Sequence, residues 1–215
     1  MIRLHRPYPA ALGALMAVLA LLAGCAPAAV APPPGPPGPG RLQGKACLDA
    51  LTQRGIAYQI VSERAVNGCN LAGAVRVGRL EAPFDKPAEM TCELALKLDE
   101  FETAVVQPAA LRYFNRRVIL VRQLGAYACR NVNGTRKLSE HARGQAIDIG
   151  GFELDGGMKI TVKEDWRGAG ARSNFLREVA RGACRIFNVV LTPKSNRDHR
   201  DHLHLDLGPY PVCDA

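Results

Sequence analysis

The chain has 215 residues and a formal net charge of +8, and no internal repeat is visible, which sets aside repeat architectures. Its cationic residues are dispersed, with no aromatic residues stacked beside them. That distribution excludes a nucleic-acid interface and suits anionic wall polymers or lipid headgroups, with plain solubility as the bland alternative.

The N-terminus reads as a targeting segment. Arg3 and Arg6 give a basic start, and the apolar run from Ala10 to Ala23 is too short for a membrane span of about 20 residues. Leu22-Ala23-Gly24-Cys25 resembles a bacterial lipobox, with cleavage before Cys25 and diacylation of its thiol; an ordinary cut near Ala26–Ala29 is the alternative. Either way the chain is expected to be exported. Ala26, where an Asp would retain a lipoprotein at the inner membrane, leans the expectation towards the outer membrane. From Ala26 to Gly40 the chain is dense in proline, which favours extended polyproline II and a tether rather than a core. No aromatic or basic flank marks the tether as a ligand, so no protein partner is expected. The resulting division is a signal peptide at 1–24, a lipidated Cys25 with its tether to 40, and a domain at 41–215. At about 175 residues the domain is long enough for one proper core.

Seven cysteines occur in the chain. With Cys25 assigned to lipid, Cys47, Cys69, Cys92, Cys129, Cys184 and Cys213 form an even set in an exported domain, which implies disulfides in an oxidising periplasm. Spacing does not choose among the roughly 15 possible pairings. The lack of any Cys-x-x-Cys pair argues against a cysteine zinc site.

Within the domain, Ala46–Arg54 reads as a helix and Ile56–Val61 as a short strand. Lys86–Thr103 reads as a second helix, because Met90, Leu94, Leu98 and Phe101 recur at helical spacing and Pro87 sits in the first turn. Val118–Leu124 is strand-like. Gln145–Phe152 is a strand that turns through Gly156-Gly157 into Met158–Val162. Ser173–Phe187 reads as a helix with Ser173 as N-cap. Val189–Thr192 and His202–Leu207 follow as strands. The sum is an α+β domain, a small antiparallel sheet flanked by helices. Trp166 is expected in the core rather than as a sugar platform, and the loop Lys163–Arg172 as one wall of a cleft.

The chemistry concentrates in two places. The chain has five histidines, and His199, His202 and His204 fall close together. His141 and Asp148 lie upstream in Ser139-Glu140-His141-Ala142-Arg143-Gly144-Gln145-Ala146-Ile147-Asp148. Strand alternation puts His202 and His204 on one face, opposite Leu203 and Leu205, and gives Ala146 and Asp148 a shared face. Two adjacent antiparallel strands would then bring Asp148 and His204 to one metal, with His141 joining from the loop before and Gly144 allowing the turn. Three N/O ligands with an open position mark a catalytic zinc, whereas structural sites close with about four. A further carboxylate, Asp201, is the base that hydrolysis needs.

Ser-x-His-x-x-Gly-x-Ala-x-Asp followed by Asp-His-x-His resembles the signature of the zinc D-alanyl-D-alanine carboxypeptidase and peptidoglycan endopeptidase group. Tyr127-Ala128-Cys129-Arg130-Asn131, Leu138-Ser139-Glu140-His141-Ala142 and His199 to Leu207 resemble the extensin-like C-terminal domain family more closely, from about Cys47 to Cys213. The resemblance implies a zinc peptidase architecture with one zinc ion held by His141, Asp148 and His204. It further implies Asp201 as general base and His202 supporting the oxyanion or the water. An arginine upstream of the first ligand would grip a substrate carboxylate; Arg130 resembles it, with Arg116, Arg117, Arg136 and Arg143 as competitors. Ser139 either fixes the ligand loop or contacts substrate, and His199 belongs at the rim. The expectation is a peptidase acting on peptidoglycan, held to a membrane by its lipid. A wall-binding lipoprotein that keeps the fold without catalysis is the alternative.

Overall fold

The computed structural model describes residues 44–215; the signal segment, Cys25 and the tether lie outside them. In chain order come α1 (Gly44–Gln53), β1 (Tyr58–Ile60), β2 (Arg64–Val66), β3 (Cys69–Leu71), β4 (Ala74–Arg79), β5 (Pro83–Thr91) and α2 (Cys92–Phe101). A π-helical turn (Glu102–Val106) leads into α3 (Gln107–Phe114), then β6 (Val118–Gly125), a 3-10 turn (Glu140–Arg143), β7 (Ala146–Leu154), β8 (Met158–Thr161) and α4 (Val162–Asp165). The chain ends with α5 (Ala171–Ala183), β9 (Val189–Leu191), a 3-10 turn (Arg197–His199), β10 (Leu203–Asp206) and β11 (Val212–Cys213).

The domain is α+β, but its sheet is neither small nor wholly antiparallel. Nine strands run in the order β1-β4-β5-β6-β7-β10-β9-β11, with β8 also on β7. The β5–β6 and β9–β11 pairs are parallel. β2 and β3 form a separate hairpin. Strand β7 is central and mostly buried, as a strand covered on both faces must be. Its pairing with β6 slips three times, skipping Ile119 on β6 and, nearer Asp148, Gly150 on β7 and Leu124 on β6. Bulges of this kind re-aim neighbouring side chains, and here the last two flank Asp148.

Two expected helices differ. Lys86–Met90 lies in strand β5, and α2 starts only after Thr91, whose side chain accepts from the Leu94 amide. Pro87 falls where the β4–β5 register shifts between Val77 and Arg79, a place where a missing donor is tolerated. The helical path also runs on past Thr103. Pro108 has no amide hydrogen for the α-helical bond, and the Gln107 amide reaches back to Glu102 in the π-turn. In α5 the N-cap is Gly170, and Ser173 sits inside the helix donating to the Trp166 carbonyl at 3.0 Å.

The core lies between the sheet and the helices. Phe175 of α5 meets Phe152 of β7 edge-on at 5.5 Å, and Phe101 of α2 meets Phe187 at 5.6 Å. Trp166 is buried, as expected for a core residue. Disulfides join Cys47 to Cys92, Cys69 to Cys129 and Cys184 to Cys213.

Glu102 is buried in the π-turn, where its carboxylate accepts the Ala82 amide at 2.8 Å. Burial pushes its pKa up to about 8, against the pull of that hydrogen bond. A raised folded-state pKa means that its contribution to stability is complete below the unfolded value and fades as pH rises through about 8. Glu102→Gln keeps the acceptor without the charge. The variant is expected to match the parent near pH 4 and exceed it by a few kcal/mol above pH 8, roughly what such a shift implies. Denaturation midpoints across pH check this; parallel profiles would refute it.

Candidate metal centre

Asp148 and His204 are directly paired residues on adjacent antiparallel strands, β7 and β10. That register puts both side chains on one face, while Ile147, Ile149, Leu203 and Leu205 are buried on the other. His141 arrives from the 3-10 turn before β7, which Ser139 caps by accepting the His141 amide at 3.3 Å. Of the two roles considered for Ser139, loop-fixing is the contact seen. Gly144 closes the turn at φ +65°, where an added Cβ would lie 2.6 Å from Leu71 and 3.3 Å from the Thr91 nitrogen. Any side chain there would displace the ligand loop.

The three donor groups converge. His141 Nε2 is 3.2 Å from His204 Nδ1 and 3.2 Å from Asp148 Oδ2, and His204 Nδ1 is 2.9 Å from Asp148 Oδ1. Ligands about 2.0–2.2 Å from a tetrahedral zinc stand roughly 3.3–3.5 Å apart, so little movement separates this cluster from a coordination shell. The outer nitrogens are occupied. His141 Nδ1 donates to the Ala126 carbonyl at 2.6 Å, and His204 Nε2 pairs with Asp206 Oδ2 at 2.8 Å. Each ring thereby turns its other nitrogen inward. The two inner nitrogens face each other with the Asp148 carboxylate beside both, a donor set that fits a cation between them.

Electrostatics agree. Burial opposes charge on Asp148, yet hydrogen bonds from His141 and His204 hold its carboxyl far below the usual carboxylate range. Burial also works against charge on His204, but Asp148 and Asp206 raise its pKa to about 9. The buried faces of β7 and β10 are thus arranged around positive charge. A metal ion taking this place must displace the His204 proton, which makes binding pH-dependent.

A family model for the extensin-like protein C-terminus matches residues 45–214, a span that includes His141, Asp148, His204 and all three disulfides. The chain belongs to that family. No curated protein and no solved structure gives a match.

Beside the cluster, with His204 in its lining, this extensin-like domain forms a cleft of about 560 Å3 that takes in parts of 130–140, 189–191 and 196–212. None of Lys163–Arg172 lines it; that stretch takes in parts of α4 and α5 and is largely exposed, with Trp166 alone buried. His202 presents Nε2 at 3.5 Å from Asp148 Oδ1, and its Nδ1 donates to Asp201 Oδ1 at 2.9 Å. Asp201 is thereby tied to the His202 ring. The same hydrogen bond holds the Asp201 carboxyl below its ordinary pKa. Arg130 reaches the cluster, with Nη2 3.9 Å from Asp148 Oδ2. Its competitors are engaged elsewhere: Arg117 with Glu81, Arg143 with Glu140, and Arg116 with the Asp155 carbonyl; Arg136 is exposed and lines no part of the cleft.

Two further residues take part: His199, expected at the rim, and Asp206, which the motif reading passes over. His199 is in the cleft, its ring 5.6 Å from that of His204 and its Nδ1 bonded to Asn196 at 2.8 Å. Burial and the neighbouring imidazoles lower its pKa to about 4. Asp206 backs His204 and also accepts the Gly208 amide at 2.7 Å. It lies two residues after His204, so strand alternation alone puts it on the ligand face. Asp206→Asn is expected to weaken zinc binding by about 10–100-fold, the usual effect of losing a carboxylate behind a ligating His. Competition against a chelator measures it, and an unaltered affinity would reduce Asp206 to a packing role.

Proposed function

We propose that the domain is a zinc metallopeptidase that hydrolyses peptide bonds in peptidoglycan stem peptides or cross-links, with His141, Asp148 and His204 holding one zinc ion. The observation that carries this reading is the convergence of three donor atoms beside a carboxylate–imidazole pair. Zinc would supply Lewis acidity, polarising a carbonyl and making water a stronger acid. Asp201, ionised near neutral pH, takes the proton of the attacking water and delivers it to the leaving amine. His202, held by Asp201 through Nδ1, directs Nε2 at the cluster and steadies the charge developing on the carbonyl oxygen. Arg130, half-exposed beside Asp148, offers two parallel donors to a substrate carboxylate.

Peptidoglycan as substrate rests on the motif likeness to zinc D-alanyl-D-alanine carboxypeptidases and on the surplus of positive charge. The likeness also favours D,D-bonds and a zinc peptidase architecture. Export and a diacyl anchor on Cys25, at the outer membrane, complete the reading; among the described residues no helix is long and apolar enough to cross a bilayer.

The rival is a wall-binding lipoprotein that does no chemistry. Binding alone requires no base beside the ligands, and Asp201 with His202 supplies one. The test is incubation of zinc-loaded protein with purified sacculi. Release of soluble peptides or loss of cross-linked muropeptides is expected, whereas tight binding without any product would favour the rival.

A further inference from the structure

The cleft carries cations that the proposed chemistry does not use up. Its acids have partners: Glu140 accepts from Arg143 at 2.9 Å, Asp198 from Asn133 at 2.9 Å, and Asp206 from His204 at 2.8 Å. Lys137 is different. Its ammonium lies 5.3 Å from the centroid of the Tyr210 ring, and no carboxylate of the described residues pairs with it.

Lys137 is not on a loose loop. The Arg130 carbonyl accepts the Ser139 amide at 3.2 Å, and the Lys137 carbonyl accepts the Val132 amide at 2.8 Å, so residues 130–139 double back as a finger. The Cys69–Cys129 disulfide fixes the base of the finger, and the Asn133–Asp198 bond ties it to the other cleft wall. Arg130, beside the ligands, and Lys137 belong to this one finger.

Apolar surface accompanies the cation. Tyr210, Val212 and Val132 are 69%, 45% and 41% exposed, and all three line this cleft. They are three of the eight large hydrophobics left exposed in the described domain. An apolar wall ending in a cation against an aromatic face suits an aliphatic stem that terminates in an acid. The ammonium–ring contact is weak at an exposed site and readily exchanged for a carboxylate.

We propose that Lys137, Tyr210, Val132 and Val212 form a second subsite that recognises a carboxylate on the substrate, distinct from the one at Arg130 and separated from the reacting bond by an aliphatic stem. This subsite rests on the peptidase reading for its biological setting but is tested separately from it. Two synthetic muropeptides are compared, identical except that the side-chain carboxylate of one is a primary amide in the other. Calorimetry with the zinc-loaded full chain is expected to give the acid about fivefold tighter binding, the scale of a partly exposed ion pair. Lys137→Met should remove that difference and Lys137→Arg should retain it. Equal affinity of the parent for acid and amide, no binding of either, or a preference that survives Lys137→Met would overturn the subsite. Cleavage is measured on the same pair. A preference in binding without cleavage would keep the subsite and sink the peptidase reading; cleavage of both with equal affinity would do the opposite.

Discussion

Asp201→Asn is expected to leave zinc in place and to slow hydrolysis of cross-linked muropeptides by about 10²–10⁴-fold, the range a general base contributes. The substitution preserves shape and can still accept from His202 Nδ1, the bond seen at 2.9 Å. What it removes is the negative charge and the capacity to take a proton from water. A loss confined to kcat, with zinc stoichiometry and substrate affinity retained, would mark the residue as acting in the transition state. Turnover within a few fold of the parent would demote Asp201 to a structural partner of His202.

The second large effect concerns the ligands. His141→Ala, Asp148→Ala and His204→Ala are each expected to take bound zinc from about one equivalent to almost none, because two remaining ligands make an incomplete site. The loss should exceed the roughly 10–100-fold expected for Asp206→Asn, since a direct bond is removed rather than its support. His199→Ala should keep the metal. His199 lies in the cleft, but it is outside the converging group of His141, Asp148 and His204, whose donor atoms all fall within 4.8 Å of one another. Elemental analysis of the refolded variants, with circular dichroism to show that each is folded, separates these outcomes. Zinc retained by the His141 variant but lost from the His199 variant would reverse the assignment.

The ligand strands were legible because two periods agreed with a motif. The hairpin through Gly156-Gly157 joins β7 to β8, and β10 falls within the expected His202–Leu207 with His204 opposite Asp148. Lys86–Met90 misled for a geometric reason. Residues four apart share a face on a helix and on a strand alike, so Met90 and Leu94 could not distinguish the two. The capping Thr91 was the stronger signal, and it puts the helix start after Met90. Strand β4 was hidden between Gly73 and Gly78, although Val75 and Val77 flank an exposed Arg76 in the alternating pattern.

Within the site, side chains were readable and backbone was not. The Ala126 carbonyl that sets the His141 ring is 15 residues away in sequence and has no residue-type signature. Disulfide pairing depended on strand order, because Cys69 meets Cys129 only where the β2–β3 hairpin packs beside the ligand loop. The extent of the sheet was underestimated because the Lys86–Met90 part of β5 reads as helix, β4 was passed over, and the two-residue β11 owes its place to pairing with β9 rather than to local propensity.

Anomalous diffraction from crystals of the zinc-loaded protein, recorded on both sides of the zinc absorption edge, tests the central claim most directly. The account predicts one strong peak within about 2.0–2.2 Å of His141 Nε2, His204 Nδ1 and an Asp148 carboxylate oxygen. No peak there, or a peak held by other residues while these three keep their mutual hydrogen bonds, would contradict it.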